Sequence, residues 1–447
     1  MRIEKIQFLA ILLLMQFFVS FSQNELPRDK GKNFTTELSF GPVQDFSTGE
    51  GAFMAVDSIS SEKMVFVYRD WENSGFGTAV IGTINDMEMT FSNPCVFASG
   101  NIYLPKVKTV NDSVFLVIYR DMNQSGKGFI VKGIIENENI VFDSPLLFCE
   151  AMISTTSIIL MNDADFIIAY KDNGNNGYGT LKPGSLINGI VELNDNIVFN
   201  EATSFENVLT CFNDSTFIIT YRDMGNNERG TVKIGTISNG SIDLSEPFIF
   251  SGLAAIDISV EALSSSTFIV SYKSAGNTGV AILGHLEGGQ VTFSGFSPFS
   301  GTANVSGTSV VALSDSLAVI SYSDEGNNGA GNSIVANIIN DTILFDEPVV
   351  FNNAGSFTTY GIRISDSTFV LAFRNEGNSF FGSAVIGKVI VDQTTDIHFY
   401  SASNSIRVFP NPTNGILAIE GNKVIKIDIL NIEGQTIESL KTSTKKQ

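Results

Sequence analysis

Apolar residues in this chain fall in short runs, and the runs recur at one spacing. Residues 213–250 show a single period. Phe217–Tyr221 is β-branched or aromatic, Arg222-Asp223 and a Gly/Asn-rich loop follow, a second run leads to Asn239-Gly240, and a third ends at Phe250. The aromatic closing the first run recurs as Tyr68, Tyr119, Tyr170, Tyr221, Tyr272, Tyr322 and Phe373, in steps of 51, 51, 51, 51, 50 and 51. A second ladder runs Phe46, Phe97, Phe148, Phe199, Phe250, Phe299 and Phe351, in steps of 51, 51, 51, 51, 49 and 52. Two ladders at one period mark a repeat architecture.

Within a period the pattern predicts four short strands. In the fourth unit they fall near Val208–Phe212, Thr216–Tyr221, Gly230–Ile237 and Ser241–Leu244. Asn213-Asp214-Ser215 turns the first into the second, because these side chains hydrogen-bond nearby backbone. Asn239-Gly240 is a two-residue hairpin signal. The second strand has almost no polar face, so it must be covered on both sides. The fourth alternates as an edge strand does. Nothing in the body reads as a long helix. The expected fold is therefore all-β, a seven-bladed β-propeller of four-stranded repeats of about 51 residues over 35–402, with a small β-module at 403–447. A solenoid fits the period less well, since it needs polar caps and the end units here are as apolar as the middle ones. Ring closure calls for one terminal segment on the last unit. Glu37–Phe40 keeps the repeat spacing better than Ile397–Phe399.

Composition narrows the partners. The 447 residues carry a formal net charge of −20, which argues against nucleic acid and against an acidic membrane surface. Arg2, Lys5 and the apolar run Ile6–Phe21 predict a signal peptide over 1–22, cut before Gln23. Residues 23–34 read as a linker, and no other stretch has the length of a membrane span. Three cysteines, Cys95, Cys149 and Cys211, form no disulfide framework. The first two lie at similar places in adjacent units, which leaves a pairing open beside three unpaired apolar thiols.

The loop after the second strand is the most distinctive polar feature. It reads YRDWENSGFGT at 68–78, YRDMNQSGKGF at 119–129, YKDNGNNGYGT at 170–180 and YRDMGNNERGT at 221–231, and it degrades in later units. Candidate ligand-binding residues are Arg69, Asp70, Trp71, Arg120, Asp121, Lys171, Asp172, Tyr178, Arg222 and Asp223. Planar guanidinium and carboxylate groups hydrogen-bond sugar hydroxyls, and rings stack on pyranose faces. Calcium is the rival ligand, since Asp, Asn and loop carbonyls are hard oxygen donors. The cation beside each Asp ranks it below a glycan. The same residues also read as plain turn chemistry. Units of this wording resemble a family of "YRDxGNxGxGT" repeats in large secreted bacterial and phage-associated proteins. Tyr170, Asp172, Gly174, Asn175, Gly177, Gly179 and Thr180 carry the match. The resemblance implies a propeller-like fold and no catalytic residues.

Past residue 403 the period stops. Phe409, Pro410, Asn411, Pro412, Thr413, Asn414 and Gly415 form a turn between short strands, and Ile425–Leu430 alternates like a half-buried strand. These two segments resemble the "YPNPTNG" and "IYDxLG" motifs of the type IX secretion C-terminal sorting domain. That family normally continues through a "GIY" strand, which Thr442–Gln447 lacks, so a partial domain is expected. The resemblance implies the type IX secretion machinery as a partner, and release from the cell or display on its surface.

Two histidines, His285 and His398, hold unrelated repeat positions and suggest neither a metal site nor a triad. No catalytic residue and no cofactor is assigned. The repeated carboxylates look equivalent, whereas a glycosidase gives two carboxylates different environments. The expectation is a secreted or surface binding and adhesion protein recognising a glycan or another extracellular partner. A polysaccharide-active enzyme and a structural surface scaffold are the alternatives.

Overall fold

The computed structural model describes residues 35–136, 139–301, 304–392, 407–409, 418–420, 426–430 and 436–441. The predicted signal peptide, the linker and the segment Ile397–Phe399 lie outside them. The chain divides into two compact units, and Thr36–Asp392 holds all the repeats. This unit is all-β, built of antiparallel meanders.

Each of the first six repeats supplies an inner, a second, a third and an outer strand; the last supplies three among the described residues, and Thr35–Phe40 pairs with its third strand. In the fourth repeat the four are Ile197–Asn213, Thr216–Asp223, Arg229–Ser238 and Ser241–Leu244. The outer strand falls where the alternation places it. The inner strand begins eleven residues earlier than the apolar run suggests. Its first part pairs with the third strand of the preceding unit, Tyr178–Ile187, and its second part with its own second strand. A single extended segment thus bridges two meanders, which a pattern read within one period does not reveal.

The inner strands are Gln44–Ser58, Ile102–Thr109, Ile153–Leu160, Ile197–Asn213, Phe248–Ala262, Val305–Ser314 and Val349–Arg363. Each touches the next in chain order, and Val349–Arg363 touches Gln44–Ser58. Side chains staple these neighbours together across one period. Asp57 Oδ2 accepts from Thr109 N at 2.7 Å, Ser157 Oγ from Leu209 N at 3.1 Å, Ser259 Oγ from Val310 N at 3.0 Å and Ser309 Oγ from Gly361 N at 2.9 Å. At the two ends of the repeat body, Gln44–Ser58 pairs with the last third strand, Phe381–Asp392, and so does Thr35–Phe40. Phe40 packs on Phe351 and Phe369, at 5.8 and 5.9 Å between ring centroids.

The core lies between consecutive meanders, because the second strands are apolar on both faces. One buried cluster joins Phe97 and Tyr119 to Val65 and Val67 of the unit before. Another joins Phe46 and Tyr68 to Val370 and Ala372 from the far end of the repeat body. The two aromatic ladders meet in every unit. Phe46–Tyr68, Phe97–Tyr119, Phe148–Tyr170, Phe199–Tyr221, Phe250–Tyr272, Phe299–Tyr322 and Phe351–Phe373 sit 5.1 to 5.5 Å apart, mostly edge to face, the geometry aromatic quadrupoles favour. The cysteines are free. Cys149 belongs to one interface cluster and Cys95 packs against another, so the pairing left open by their spacing does not form.

Candidate functional site

The aspartates of the second-strand loops are committed to their own turns. Asp121, Asp223 and Asp324 cap one-turn 3-10 helices, and each accepts the backbone N–H two residues on, at 2.9 Å. Asp172 accepts from Gly174 N at 2.9 Å and Asp70 from Asn73 N at 3.3 Å. The turns leave through left-handed residues such as Ser125 and Asn227, which is why Asn and Ser recur there. Capping by a carboxylate is worth about 1 kcal/mol. Asp121→Ala with Asp172→Ala should therefore lower stability by about 2 kcal/mol in denaturant melts and leave glycan binding on an array unchanged. A lost glycan signal with unchanged stability would reassign both aspartates to ligand contact.

The basic residue preceding each aspartate points the other way, as strand neighbours must. Arg69 is 1% exposed. Its Nε and Nη2 donate to Asn101 Oδ1 at 3.0 and 2.6 Å, and its Cζ lies 3.3 Å from the Trp71 ring and 4.4 Å from Tyr103. Arg120 covers Tyr103 at 4.9 Å and donates to Ile153 O. Phe53 completes the stack 5.0 Å from Tyr103. Two units on the arrangement repeats, with Lys171 3.9 Å and Arg222 5.0 Å from the Phe205 ring. Arg222 also pairs with Glu206 at 3.6 Å and Glu228 at 3.4 Å.

Burial lowers the pKa of Arg69, Arg120 and Lys171, the last aided by the Arg222 charge, and raises that of Glu206. Several guanidinium nitrogens are buried without a partner among the described residues: Arg69 Nη1, Arg120 Nε, Arg222 Nε and Arg374 Nε. The inner strand under this layer bulges in each unit. Phe53, Leu104, Thr155, Glu206 and Asp257 hold φ between 43 and 57° there. Non-glycine residues in that region cost of order 1 kcal/mol or more and cluster at functional sites.

The structure thus brings Arg69, Trp71 and Arg120 into one stack and Lys171 and Arg222 into another. Asp70, Asp121, Asp172 and Asp223 stay in their turns. Tyr178 is half-buried in a third strand, opposite Asp172 and Thr203, and joins neither stack. Sequence reasoning missed Tyr103 and Phe205, the rings that hold the cations. They stand two periods apart, in a column that reads Ala52, Tyr103, Ser154, Phe205, Ile256, Ser306 and Phe357, so a column-wise reading would have found them. No group of His, Cys, Asp or Glu able to hold a metal occurs among the described residues.

Outside the repeats, Arg407–Phe409 pairs with Ala418–Glu420 and Lys426–Leu430 with Thr436–Lys441, both antiparallel. Of the proposed sorting motif only Phe409 is among the described residues. Residues 407–447 match the family of secretion system C-terminal sorting domains, which makes this a protein secreted or held at the cell surface through the secretion machinery that reads such domains. Among the described residues no helix is long and apolar enough to cross a membrane. No curated protein matches the chain. Among solved structures, a lectin from Burkholderia pseudomallei is similar at 9% identity and TM-score 0.53, over 74% of this chain and 94% of that one. A protein of unknown function from Dyadobacter fermentans is similar at 10% identity and TM-score 0.48, over 79% and 99%. AofleA from Arthrobotrys oligospora is similar at 10% identity and TM-score 0.43, over 71% and 90%. At such identities these likenesses concern the fold alone.

Proposed function

We propose that residues 35–402 form a closed seven-bladed β-propeller and that the exported protein binds carbohydrate on the face bearing the cation–aromatic layer. Residues 1–22 are its signal peptide, 23–34 a linker and 403–447 a partial type IX sorting domain. The cyclic succession of inner strands and the buried cluster joining Phe46 to Val370 support closure. The observation that carries the binding assignment is the stack Trp71–Arg69–Tyr103–Arg120. Trp71 remains 44% exposed although its Arg69 partner is almost fully buried. An open ring clamped on a fixed guanidinium is a rigid platform for a pyranose face. The unpartnered nitrogens behind it show that charge is held there at some cost. A binding protein sharing the fold of a lectin fits this surface better than an enzyme, because the repeated carboxylates are spent on their own turns.

Trp71→Ala should weaken binding to the best glycan on an array by about tenfold or more, since one ring stacked on a ligand is worth roughly 1–3 kcal/mol in comparable stacking. The melting temperature should move by no more than a few degrees, because the ring is half-exposed. Undiminished glycan binding in this variant would overturn the assignment of the face.

A further inference from the structure

The inner strands enclose a cavity of about 480 Å³, a volume typical of small-molecule sites. Its wall is not symmetric. One position of the strand reads Asp57, Lys108, Ile159, Thr210, Glu261, Val311 and Ile362 around the cavity, aligned by their pairing with the second strands. The ladder position two residues earlier carries Lys106 in the second unit and Tyr360 in the last. Charge is therefore confined to a few units in an otherwise apolar and hydroxyl-lined wall.

Most polar groups of the wall already have work. Ser157, Ser259 and Ser309 hold neighbouring backbone N–H groups. Asp57 is paired, accepting from Thr109 N and lying 3.2 Å from Lys108 Nζ. Two charged groups of the wall have no partner at hydrogen-bond distance among the described residues. Lys106 has no ion pair or hydrogen bond among the described residues, only the face of Tyr360 at 4.6 Å from Nζ. Burial brings its pKa down to about 8, so it keeps its proton at neutral pH. Glu261 has no hydrogen bond either. Burial pushes it up to about 7 against the pull of Lys108, with Asp57 adding to the rise. An ammonium that faces a cavity without a counter-charge, its pKa perturbed, is a functional-site candidate.

We propose that this cavity is a second ligand site, taking a small hydroxylated anion such as an acidic sugar, with the anionic group on Lys106 Nζ and a hydroxyl donated to Glu261. The site is independent of the loop face and does not rest on the carbohydrate reading of that face. Calorimetric titration of the secreted protein with glucuronate, glucose 6-phosphate and glucose tests it. At least one of the two anions should bind and glucose should not, and the pair distinguishes a carboxylate from a phosphate ligand. Lys106→Met should weaken the anion about tenfold or more, the worth of a charge-assisted hydrogen bond, and Lys106→Arg should restore part of it. Glu261→Ala should cost about threefold or more. Without ligand, Lys106→Met should melt no lower than the wild type, because it removes an uncompensated charge. Trp71→Ala should leave anion binding intact. Failure of both anions to bind, equal binding of glucose, or wild-type anion affinity in Lys106→Met would each overturn the proposal.

Discussion

Excising residues 171–221, one full period, is expected to abolish cooperative unfolding rather than weaken it. In an open stack of repeats each unit leans only on its neighbours, so losing one lowers stability by roughly one unit and one interface. Here the first unit leans on the last, through Phe46, Val56 and Phe66 packed with Val370 and Ile386 and through the pairing of Asp45 with Ser383. A shortened body must either close at a different radius or leave both faces bare. Bare faces expose second strands such as Lys63–Asp70 and Thr368–Asn375, whose side chains are almost all buried. The excised protein should lose its near-ultraviolet dichroism and its sharp melting transition, and should associate. A monomeric variant with a single sharp melt would refute closure.

The second large effect concerns a packing pair that the repeat writes in two ways. In the fifth unit Phe268 lies opposite Gly284, and a Cβ added to Gly284 would come 2.0 Å from the Phe268 ring. In the sixth unit the same ladder position pairs Ala318 with Ala336. One solution fills the space with a ring across a bare backbone, the other with two methyl groups. Phe268→Ala alone should cost about 3–5 kcal/mol as a cavity. Gly284→Ala alone should cost about 1–3 kcal/mol by overpacking a fully buried ring. The double variant reproduces the sixth unit's pair, so it should cost clearly less than the two singles together, a favourable coupling of at least about 1 kcal/mol. Urea unfolding of the four proteins measures this. Additive losses would mean that the ring and the glycine do not share their space.

What the chain discloses on reading depends on how often a feature repeats. Tyr68 through Phe373 and Phe46 through Phe351 are written seven times each, and both ladders are buried in register, so the meanders and their period were readable. The loop cations were also readable, but not their direction. Arg69 and Asp70 stand side by side in the text and on opposite faces of a strand, which separates a stacking residue from a turn former. Tyr103 and Phe205 escaped notice because their column also holds Ala52, Ser154, Ile256 and Ser306, so no one residue type repeats in it. Lys106, Lys108, Asp57 and Glu261 escaped for the same reason. They interrupt a repeating position instead of defining one, and only their shared cavity brings them near each other. The free state of Cys95 and Cys149 was one of the two readings their spacing allowed, and the interface each thiol faces settles it.

The last third strand, Phe381–Asp392, has hydrogen-bonded neighbours on both edges: Thr368–Asn375 on one, and the start of the repeat body, Thr35–Phe40 and Gln44–Ser58, on the other. This strand is also where the chain leaves the repeats toward the residues that match a sorting domain. Mechanical load arriving from that side does not meet a free edge that peels one bond at a time. It meets a strand clamped between two ladders, which must give way together, and the force is passed at once to the first and last repeats. Joining the start of the repeat body to its last strand therefore makes the exit point one of its best-anchored strands.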